Sequence, residues 1–258
     1  MSKDLNKNNE PSINPLSIPG TYSFDFLYNQ TKRIMGIMVG YKELRMMYAC
    51  AIKEIKTKLE ILNTEFELRY RRNPISYIQT RLKSTKSILA KLQRVQSTPD
   101  LESITNNIND VAGIRVICPY IDDIFRIADA LLSQDDVTLI EKKDYVSNPK
   151  PNGYRSLHLI IKIPVFFAER RIDMKAEVQI RTIAMDFWAS LEHQLHYKNN
   201  TDTTESLTDE LCQCAEAINE IDRRMQSIRL NIDGMEDNMD EDDVLIEQLG
   251  KFDTPIYY

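Results

Sequence analysis

Two carboxylates stand where they could bind a metal ion beside a phosphate group. Asp110 precedes the first predicted strand, and Glu177 lies inside a later one. Because side chains alternate along a strand, Gln179 and Arg181 share the face of Glu177. Mg²⁺ prefers one or two carboxylates together with phosphate oxygens and water, so this pattern predicts a phosphate–Mg²⁺ site. An ordinary solvated strand face with ion pairs is the alternative that the spacing leaves open.

A second candidate site is the segment 150–158, which reads Lys-Pro-Asn-Gly-Tyr-Arg-Ser-Leu-His. Its proline and glycine predict a sharp turn that leads into a strand. Alternation along that strand then places Tyr154 and His158 on one face. A tyrosine ring can stack on a purine, while His158 and Lys150 can contact phosphate. An exposed hairpin flank without any ligand explains the segment equally well.

A concentrated basic segment runs from Arg69 to Pro99 and contains no acidic residue. A chain of phosphates needs more than one cation, which basic residues one helical turn apart supply. The segment could equally be a solvated helix face or a nucleic-acid patch. The sequence has neither a Walker loop nor a Rossmann glycine fingerprint, which excludes those two phosphate-binding routes. The basic residues are Arg69, Arg71, Arg72, Arg81, Lys83, Lys86, Lys91 and Arg94.

A helix predicted at 182–197 carries both polar and apolar candidates. Asp186 and Glu192 could reach a ligand from this helix. Three apolar residues recur at i, i+4 spacing, which predicts a helix face packed on the sheet. These residues are Phe187, Leu191 and Leu195.

The formal net charge of −6 is unevenly distributed along the chain. Residues 233–258 hold nine acidic residues and one lysine, so the rest of the chain is close to neutral. We interpret 1–22 as a flexible leader, 23–232 as one globular domain with terminal helices, and 233–258 as a solvated acidic tail. The sequence has no long apolar run, no secretory h-region and no CxxC pair among its four cysteines. These features predict a reducing, cytoplasmic environment without a membrane partner.

Hydrophobic periodicity predicts an α+β fold with a mixed β-sheet of about four to five strands flanked by helices. The long N-terminal helix is expected at 23–70 with a break near Gly36 to Gly40. A second helix is expected to start at Asn73-Pro74 and to end near Thr98. The predicted strands are 111–118, 137–146, 154–165 and 172–180, and the later helices are 120–133, 182–197 and 207–232.

Five stretches in this order resemble the synthetase domain of the RelA/SpoT homologues. More narrowly, they resemble the stand-alone small alarmone synthetases of RelP type. The likeness covers roughly residues 40–232, and the combination is far more specific than any one piece. The matching stretches are Arg81 through Lys91, Asn109–Arg115, Lys150–His158, Glu177–Thr182 and Ala184–His193.

The resemblance implies a role for each candidate residue. Asp110 and Glu177 would bind the catalytic Mg²⁺, and Glu177 would help to deprotonate the attacking hydroxyl. Arg81 and Arg115 would stack on the adenine of ATP. The residues implied for the ATP phosphates are Lys83, Lys91 and Arg94. Those implied for GDP or GTP are Lys150, Asn152, Tyr154, His158, Gln179 and Glu192, with Tyr154 stacking on guanine.

The resemblance also implies an activity, the transfer of pyrophosphate from ATP to the 3′-hydroxyl of GDP or GTP with release of AMP in the stringent response. No histidine precedes an aspartate here, so the His-Asp pair of the family's hydrolase domain is missing and hydrolysis is not expected. Small synthetases of the family are similar in forming homotetramers, and no nucleic acid is required. The alternatives are another acceptor, such as an adenine nucleotide or a tRNA end, and non-catalytic binding of nucleotide or RNA.

Overall fold

The structure is a computed structural model and describes residues 24–70, 72–198 and 205–236. The predicted leader, 1–22, and the predicted acidic tail beyond 236 lie outside the described residues. The elements are α1(Phe24–Tyr70), β1(Tyr77–Leu82), α2(Thr85–Arg94), α3(Leu101–Asn107), β2(Ala112–Cys118), α4(Ile121–Leu132), β3(Thr138–Asp144), β4(Leu157–Phe166), β5(Arg171–Thr182), α5(Ile183–Lys198) and α6(Glu205–Glu236). Within these ranges, none of the helices combines the length and the apolar character that a bilayer-spanning segment requires.

The strands form one mixed five-stranded sheet in the order β1-β2-β5-β4-β3. The central pair, β2 and β5, runs parallel, whereas the other three neighbouring pairs are antiparallel. This arrangement confirms the predicted α+β class with a mixed sheet. The four predicted strands correspond to β2, β3, β4 and β5, although β4 begins at Leu157 rather than at Tyr154.

The two faces of the sheet differ in burial because one of them is covered by α4, which packs against β2 and β5. The apolar side of α4 is fully buried through Ile124, Ile127 and Leu131. On β5, Val178 and Ile180 are also fully buried. Glu177 and Gln179, which alternate with them, therefore lie on the opposite, open face, as the sequence predicts, whereas Arg181 on that face is itself buried.

The helix predicted from Asn73 to Thr98 is wrong in its first half. Residues Tyr77–Leu82 form the edge strand β1, paired with β2, and α2 begins only at Thr85. Ser84 is the N-cap of α2, since its side chain accepts a hydrogen bond from the Ser87 backbone nitrogen. Pairing with β2 outweighs the local Asn-Pro start pattern, because an edge strand satisfies its backbone groups only through its neighbour.

The break predicted in α1 near Gly36 to Gly40 is also wrong, because α1 is continuous from Phe24 to Tyr70. A Cβ atom added at Gly36 would meet no atom within 4 Å. Glycine in a helix interior costs about 0.5–1 kcal/mol relative to alanine. We therefore expect Gly36→Ala to stabilise this part of α1 by that amount. Circular dichroism during thermal unfolding would measure the gain, and a loss of helicity would contradict the continuous helix.

Two units are distinguished by their contacts, one ending at Lys42 and the other beginning at Glu43. In the first unit, the described turns of α1 expose large apolar side chains, including Leu27, Ile34 and Val39. In the second unit, α1 buries an apolar stripe that includes Ile55 and Leu59.

The apolar face predicted for the helix after β5 is reversed. Phe187 is 60% exposed, and Leu191 and Leu195 are exposed as well. The buried side of α5 instead carries Trp188 and Ala189, which pack with Ala215 of α6. The contact between α5 and α6 therefore decides which face of α5 is buried, a long-range contact that i, i+4 spacing does not reveal.

Candidate active site

Residues of neighbouring strands line up side by side on the open face of the sheet. Arg81 of β1 is in register with Gly113 of β2, and Gly113 is in register with Glu177 of β5. Paired residues project to the same side of a sheet, so this register brings residues of three separate segments together. The next row on the same face consists of Gln79, Arg115, Gln179 and His158.

A cavity of about 450 Å³ opens on this face. Gly113 contributes no side chain to the row between Arg81 and Glu177, and a Cβ added there would lie 3.4 Å from the Arg81 carbonyl oxygen. The glycine therefore keeps the floor of the cavity open. The lining residues are Gln79, Thr80, Arg81, Lys83, Asp110, Gly113, Ile114, Arg115, Glu177 and Gln179.

Asp110 lies on one side of this cavity, ion-paired with two lysines. The Lys83 Nζ and Lys91 Nζ atoms lie 2.5 and 2.8 Å from its two carboxylate oxygens. Burial raises the pKa of Asp110, but the hydrogen bonds and charges of the two lysines outweigh it, so the pKa lies below its ordinary value. Asp110 is therefore an anion at neutral pH, and it holds the ammonium groups of both lysines next to the cavity.

Glu177 lies on the other side and is held by two neighbours on the open face. His158 Nδ1 lies 3.2 Å from Glu177 Oε1, and Gln179 Nε2 donates to Oε2 at 2.9 Å. Burial raises the pKa of Glu177, whereas the hydrogen bond and charge of His158 and the hydrogen bond of Gln179 lower it. The net shift is downward, so Glu177 is ionised and fixed in orientation at neutral pH.

The segment 150–155 forms an aromatic and basic loop next to Glu177. The Tyr154 hydroxyl lies 2.8 Å from His158 Nε2 and accepts a hydrogen bond from Arg181 Nη2 at 2.6 Å. Lys150 Nζ lies 4.8 Å from the ring centroids of both Tyr145 and Tyr154, within the range of a cation–π contact. The loop therefore presents a cation and flat rings beside an ionised carboxylate.

Helix α6 fixes the shape of this loop. Gly153 has a φ of +86°, and a Cβ at Gly153 would lie 2.4 Å from the Ala215 Cβ. The next residue but one, Arg155, is buried and donates to the Val146 carbonyl oxygen at 2.9 Å and to Glu216 at 3.0 Å. The glycine that the sequence assigns to a turn is thus also required because α6 passes directly against the loop.

The remaining predicted residues lie outside the lining of the cavity. Asn152 Nδ2 lies 3.3 Å from Glu192 Oε1, so Asn152 and Glu192 form a separate pair beside Tyr154. Arg94 is exposed in the last turn of α2 and does not line the cavity. The predicted residues that line the cavity are Arg81, Lys83, Asp110, Arg115, Glu177 and Gln179. Lys91 and His158 contact its two carboxylates, and Lys150, Asn152 and Tyr154 belong to the adjoining loop, which Glu192 contacts through Asn152. Of the predicted residues, Arg94 is not brought into this set.

The chain is similar to known proteins in both sequence and fold. Residues 80–202 match the family model described as a region found in RelA / SpoT proteins. The GTP pyrophosphokinase YwaC of Bacillus subtilis is 43% identical over 197 residues, which cover 76% of this chain and 94% of that protein. The chain belongs to the RelA/SpoT family. A second relative, the GTP pyrophosphokinase YjbM of Bacillus subtilis, is 36% identical over 182 residues, covering 70% of this chain and 85% of that protein.

Solved structures place this RelA/SpoT protein among the small alarmone synthetases. Small alarmone synthetase 2 from Bacillus subtilis gives a TM-score of 0.68 at 42% identity, covering 74% of this chain and 98% of that one. Small alarmone synthetase 1 from Bacillus subtilis, bound to its product pppGpp, gives 0.69 at 33% identity, with coverages of 75% and 98%. The family that the sequence motifs indicate is thus confirmed.

Several residues at the site of this RelA/SpoT protein are missing from the sequence-based prediction. Gln79 lines the cavity, and Tyr77 contacts Asp186, because β1 is a strand rather than a helix. Alternation along Tyr77–Leu82 would have found Gln79 together with Arg81. Tyr145 follows β3 and reaches the loop only through the fold, and no local pattern marks it.

The contact between the end of β5 and α6 in this RelA/SpoT protein contains a buried carboxyl group whose ionisation opposes folding. Burial raises the pKa of Asp222 above its ordinary value, although the Thr182 hydroxyl donates to it at 2.6 Å. A raised pKa means that the stabilising neutral form is present below the ordinary pKa of about 3.8 and is lost as pH rises through the folded-state pKa.

We therefore expect Asp222→Asn to increase the free energy of unfolding at neutral pH and to change it little at pH 3. Urea unfolding of both proteins across this pH range would measure the difference. An advantage of the variant that is the same at both pH values would show that the carboxyl charge is not its cause.

Proposed function

We propose that the chain is a (p)ppGpp synthetase that transfers pyrophosphate from ATP to the 3′-hydroxyl of GDP or GTP and releases AMP. One observation carries this proposal. Two ionised carboxylates, Asp110 and Glu177, lie at one cavity between a pair of lysines and a loop that presents aromatic rings. A pure anion-binding module gains nothing from two carboxylates in its pocket, because they repel the ligand. An enzyme that activates a hydroxyl beside a polyphosphate needs both.

The donor nucleotide is assigned to the β1–β2 side of the cavity. Arg81 and Arg115 line it from adjacent strands, and planar guanidinium groups can stack on both faces of adenine. Lys83 and Lys91 lie next to the Asp110 carboxylate, where they can neutralise the β- and γ-phosphates. Arg94, at the end of α2, is assigned to the outermost phosphate.

The acceptor nucleotide is assigned to the loop side of the cavity. The Tyr154 ring stacks on guanine, and Lys150 and His158 contact the 5′-phosphates. Asn152 and Glu192, which already contact each other, and Gln179 support this pocket. In this arrangement the 3′-hydroxyl faces Glu177, since His158 and Gln179 hold that carboxylate on the same open face.

The residues present fit a bound Mg²⁺. Asp110 and Glu177 are hard oxygen ligands, and both have lowered pKa values. No cluster of three His, Cys, Asp or Glu side chains that could hold a metal occurs in the described part of the chain. The remaining oxygen ligands would therefore come from nucleotide phosphates and water, as Mg²⁺ prefers. When bound, the ion would supply positive charge to the reacting phosphates.

The reaction then requires little covalent chemistry from the protein. The 3′-oxygen attacks the β-phosphorus and gives its proton to the Glu177 carboxylate. The bond between the β-phosphorus and the oxygen that bridges to the α-phosphorus breaks, so AMP leaves with that oxygen. Catalysis of this kind consists mainly of positioning and charge stabilisation.

Type, location, absence of hydrolysis and oligomeric state complete the proposal. The chain is of RelP type, acts in the cytoplasm without nucleic acid, and has no hydrolase activity. It forms a homotetramer, which the exposed apolar series on α5 and α6 supports because an exposed apolar face favours protein contacts. The series are Ile183, Phe187, Leu191 and Leu195 on α5, and Ile221, Met225, Ile228 and Ile232 on α6. Sedimentation equilibrium that shows a monomer at micromolar concentration would remove the tetramer.

The activity is tested with purified protein, ATP, Mg²⁺ and no RNA. Separate reactions contain GDP, GTP or ADP as acceptor, and anion-exchange chromatography resolves the products. We expect AMP to appear in equal amount to a guanosine 3′-diphosphate, and no degradation of added product. Product with ADP alone, or no AMP with any acceptor, would refute the guanine-nucleotide assignment.

A further inference from the structure

Asp186, at the start of α5, lies where two arginines from different strands meet. Its Oδ1 atom lies 3.1 Å from Arg115 Nη1 and 3.1 Å from Arg181 Nη1. Its Oδ2 atom accepts a hydrogen bond from the Tyr77 hydroxyl at 3.3 Å. The Asp186 side chain is only 8% exposed and that of Arg181 only 5%. One buried carboxylate thus holds two guanidinium groups and one phenol.

The two arginines are connected to opposite sides of the cavity. Arg115 lines the β1–β2 side, which we assign to adenine. Arg181 donates through Nη2 to the Tyr154 hydroxyl at 2.6 Å and to Gln179 Oε1 at 2.8 Å. Gln179 in turn donates to Glu177. A continuous set of hydrogen bonds and ion pairs therefore runs from the donor side, through Asp186, to the acceptor ring and the reacting carboxylate.

The charge of Asp186 is what allows this arrangement. Burial and the neighbouring positive charge of Arg181 lower the pKa of Arg115, and the Asp186 carboxylate acts in the opposite direction. Without the carboxylate, two cations would face each other in a partly buried setting, and Arg181 would lose its opposite charge. Arg115 is 35% exposed and can move toward solvent, whereas Arg181 cannot. Loss of the charge would therefore displace Arg115 and also loosen Tyr154.

We propose that Asp186 is a positioning residue that sets the donor and acceptor pockets together, through Arg115 on one side and through Arg181 and Tyr154 on the other. It touches neither nucleotide. This inference rests on the proposed function for the identity of the two nucleotides. It predicts that one substitution, outside the cavity lining, weakens the binding of both substrates.

The test uses Asp186→Asn, which keeps an oxygen acceptor but removes the charge. We expect its Kd for AMPCPP and its Kd for GDP each to rise about tenfold, as measured by calorimetry with Mg²⁺. The matched control is Asp123→Asn. Asp123 is also a buried carboxylate held by two arginine nitrogens, those of Arg72, but it lies on α4 and not at the cavity. The control should leave both affinities unchanged even where it lowers the melting temperature.

A double-variant cycle separates positioning from general damage. In an Arg115→Ala background, Asp186→Asn should change the Kd for AMPCPP much less, because the ion pair of Asp186 with the donor-side arginine has been removed. The same substitution should still raise the Kd for GDP about tenfold, because the route through Arg181 remains. The proposal would be overturned if Asp186→Asn raised the Kd for AMPCPP equally in both backgrounds. It would also be overturned if Asp186→Asn changed the Kd of neither nucleotide.

Two precautions keep the result unambiguous. If circular dichroism shows that Asp186→Asn does not fold, Asp186→Glu replaces it. That variant keeps the charge but moves it by one methylene. It should show the same difference between the two backgrounds, with a smaller change in Kd. The binding measurements require no turnover. Failure of AMP to appear in the activity assay would therefore refute the proposed reaction and leave the binding measurements unaffected. Equal effects of Asp186→Asn in both backgrounds, in an enzyme that is active, would refute only the role of Asp186.

Discussion

Glu177→Gln is expected to lower the turnover number of pyrophosphate transfer by about a thousandfold. The substitution removes the carboxylate that, in the proposed mechanism, accepts the hydroxyl proton, and general bases contribute roughly 10²–10⁴ in rate. The amide has nearly the same shape and can still accept a hydrogen bond from Gln179, so the fold and the binding of ATP should persist. Initial rates of AMP formation at saturating ATP and GDP measure the effect.

The matched control for this variant is Asp173→Asn. Asp173 lies on the same strand and the same face of β5, but it is exposed near the far end of the strand. Its loss should leave the rate within a factor of two. A Glu177→Gln enzyme that retains a tenth or more of the wild-type turnover number would show that another group accepts the proton.

Gly153→Ala is expected to raise the KM for GDP by more than tenfold with a smaller change in the KM for ATP. The new Cβ would lie 2.4 Å from the Ala215 Cβ, and the φ of +86° disfavours any side chain. The loop must therefore move away from α6 and carry Tyr154 and Lys150 with it. The donor side of the cavity is built on β1 and β2 and is connected to Tyr154 of this loop only indirectly, through Arg115, Asp186 and Arg181, so the effect on ATP is smaller.

A second-site change distinguishes this cause from general instability. Ala215→Gly removes the atom that the new methyl group would meet, so the double variant Gly153→Ala with Ala215→Gly should recover part of the affinity for GDP. The recovery stays incomplete because the positive φ remains unfavourable for alanine. No recovery at all would show that the contact with α6 does not set the position of the loop.

The sequence was most informative where local chemistry and periodicity agree. The β-branched run before Cys118 and the alternation of Glu177, Gln179 and Arg181 with buried neighbours gave the central strands and the open face. Motif spacing then named the carboxylates, the lysines and the aromatic loop. The assignment of faces succeeds because a strand of period two separates its faces without knowledge of its partners, whereas the roles of the carboxylates, the lysines and the aromatic loop stay predictions.

Two elements were assigned wrongly because long-range contacts decide them. Tyr77–Leu82 has a helix-start pattern just before it, yet it is an edge strand because β2 offers it a pairing partner. The apolar residues of α5 that lie four apart are exposed because α6 packs against the opposite side, at Trp188 and Ala189. In both cases the competing local preference is worth less than the contact that replaces it.

The sequence by itself determined which residues are candidates for the chemistry and on which face of their strands they lie. It could not reveal that Asp186 joins Arg115 to Arg181, or that α6 fixes the loop at Gly153. Those relations join segments dozens of residues apart in the chain. They depend on strand order, register and helix packing, which arise from the burial of the whole core rather than from any local run of residues.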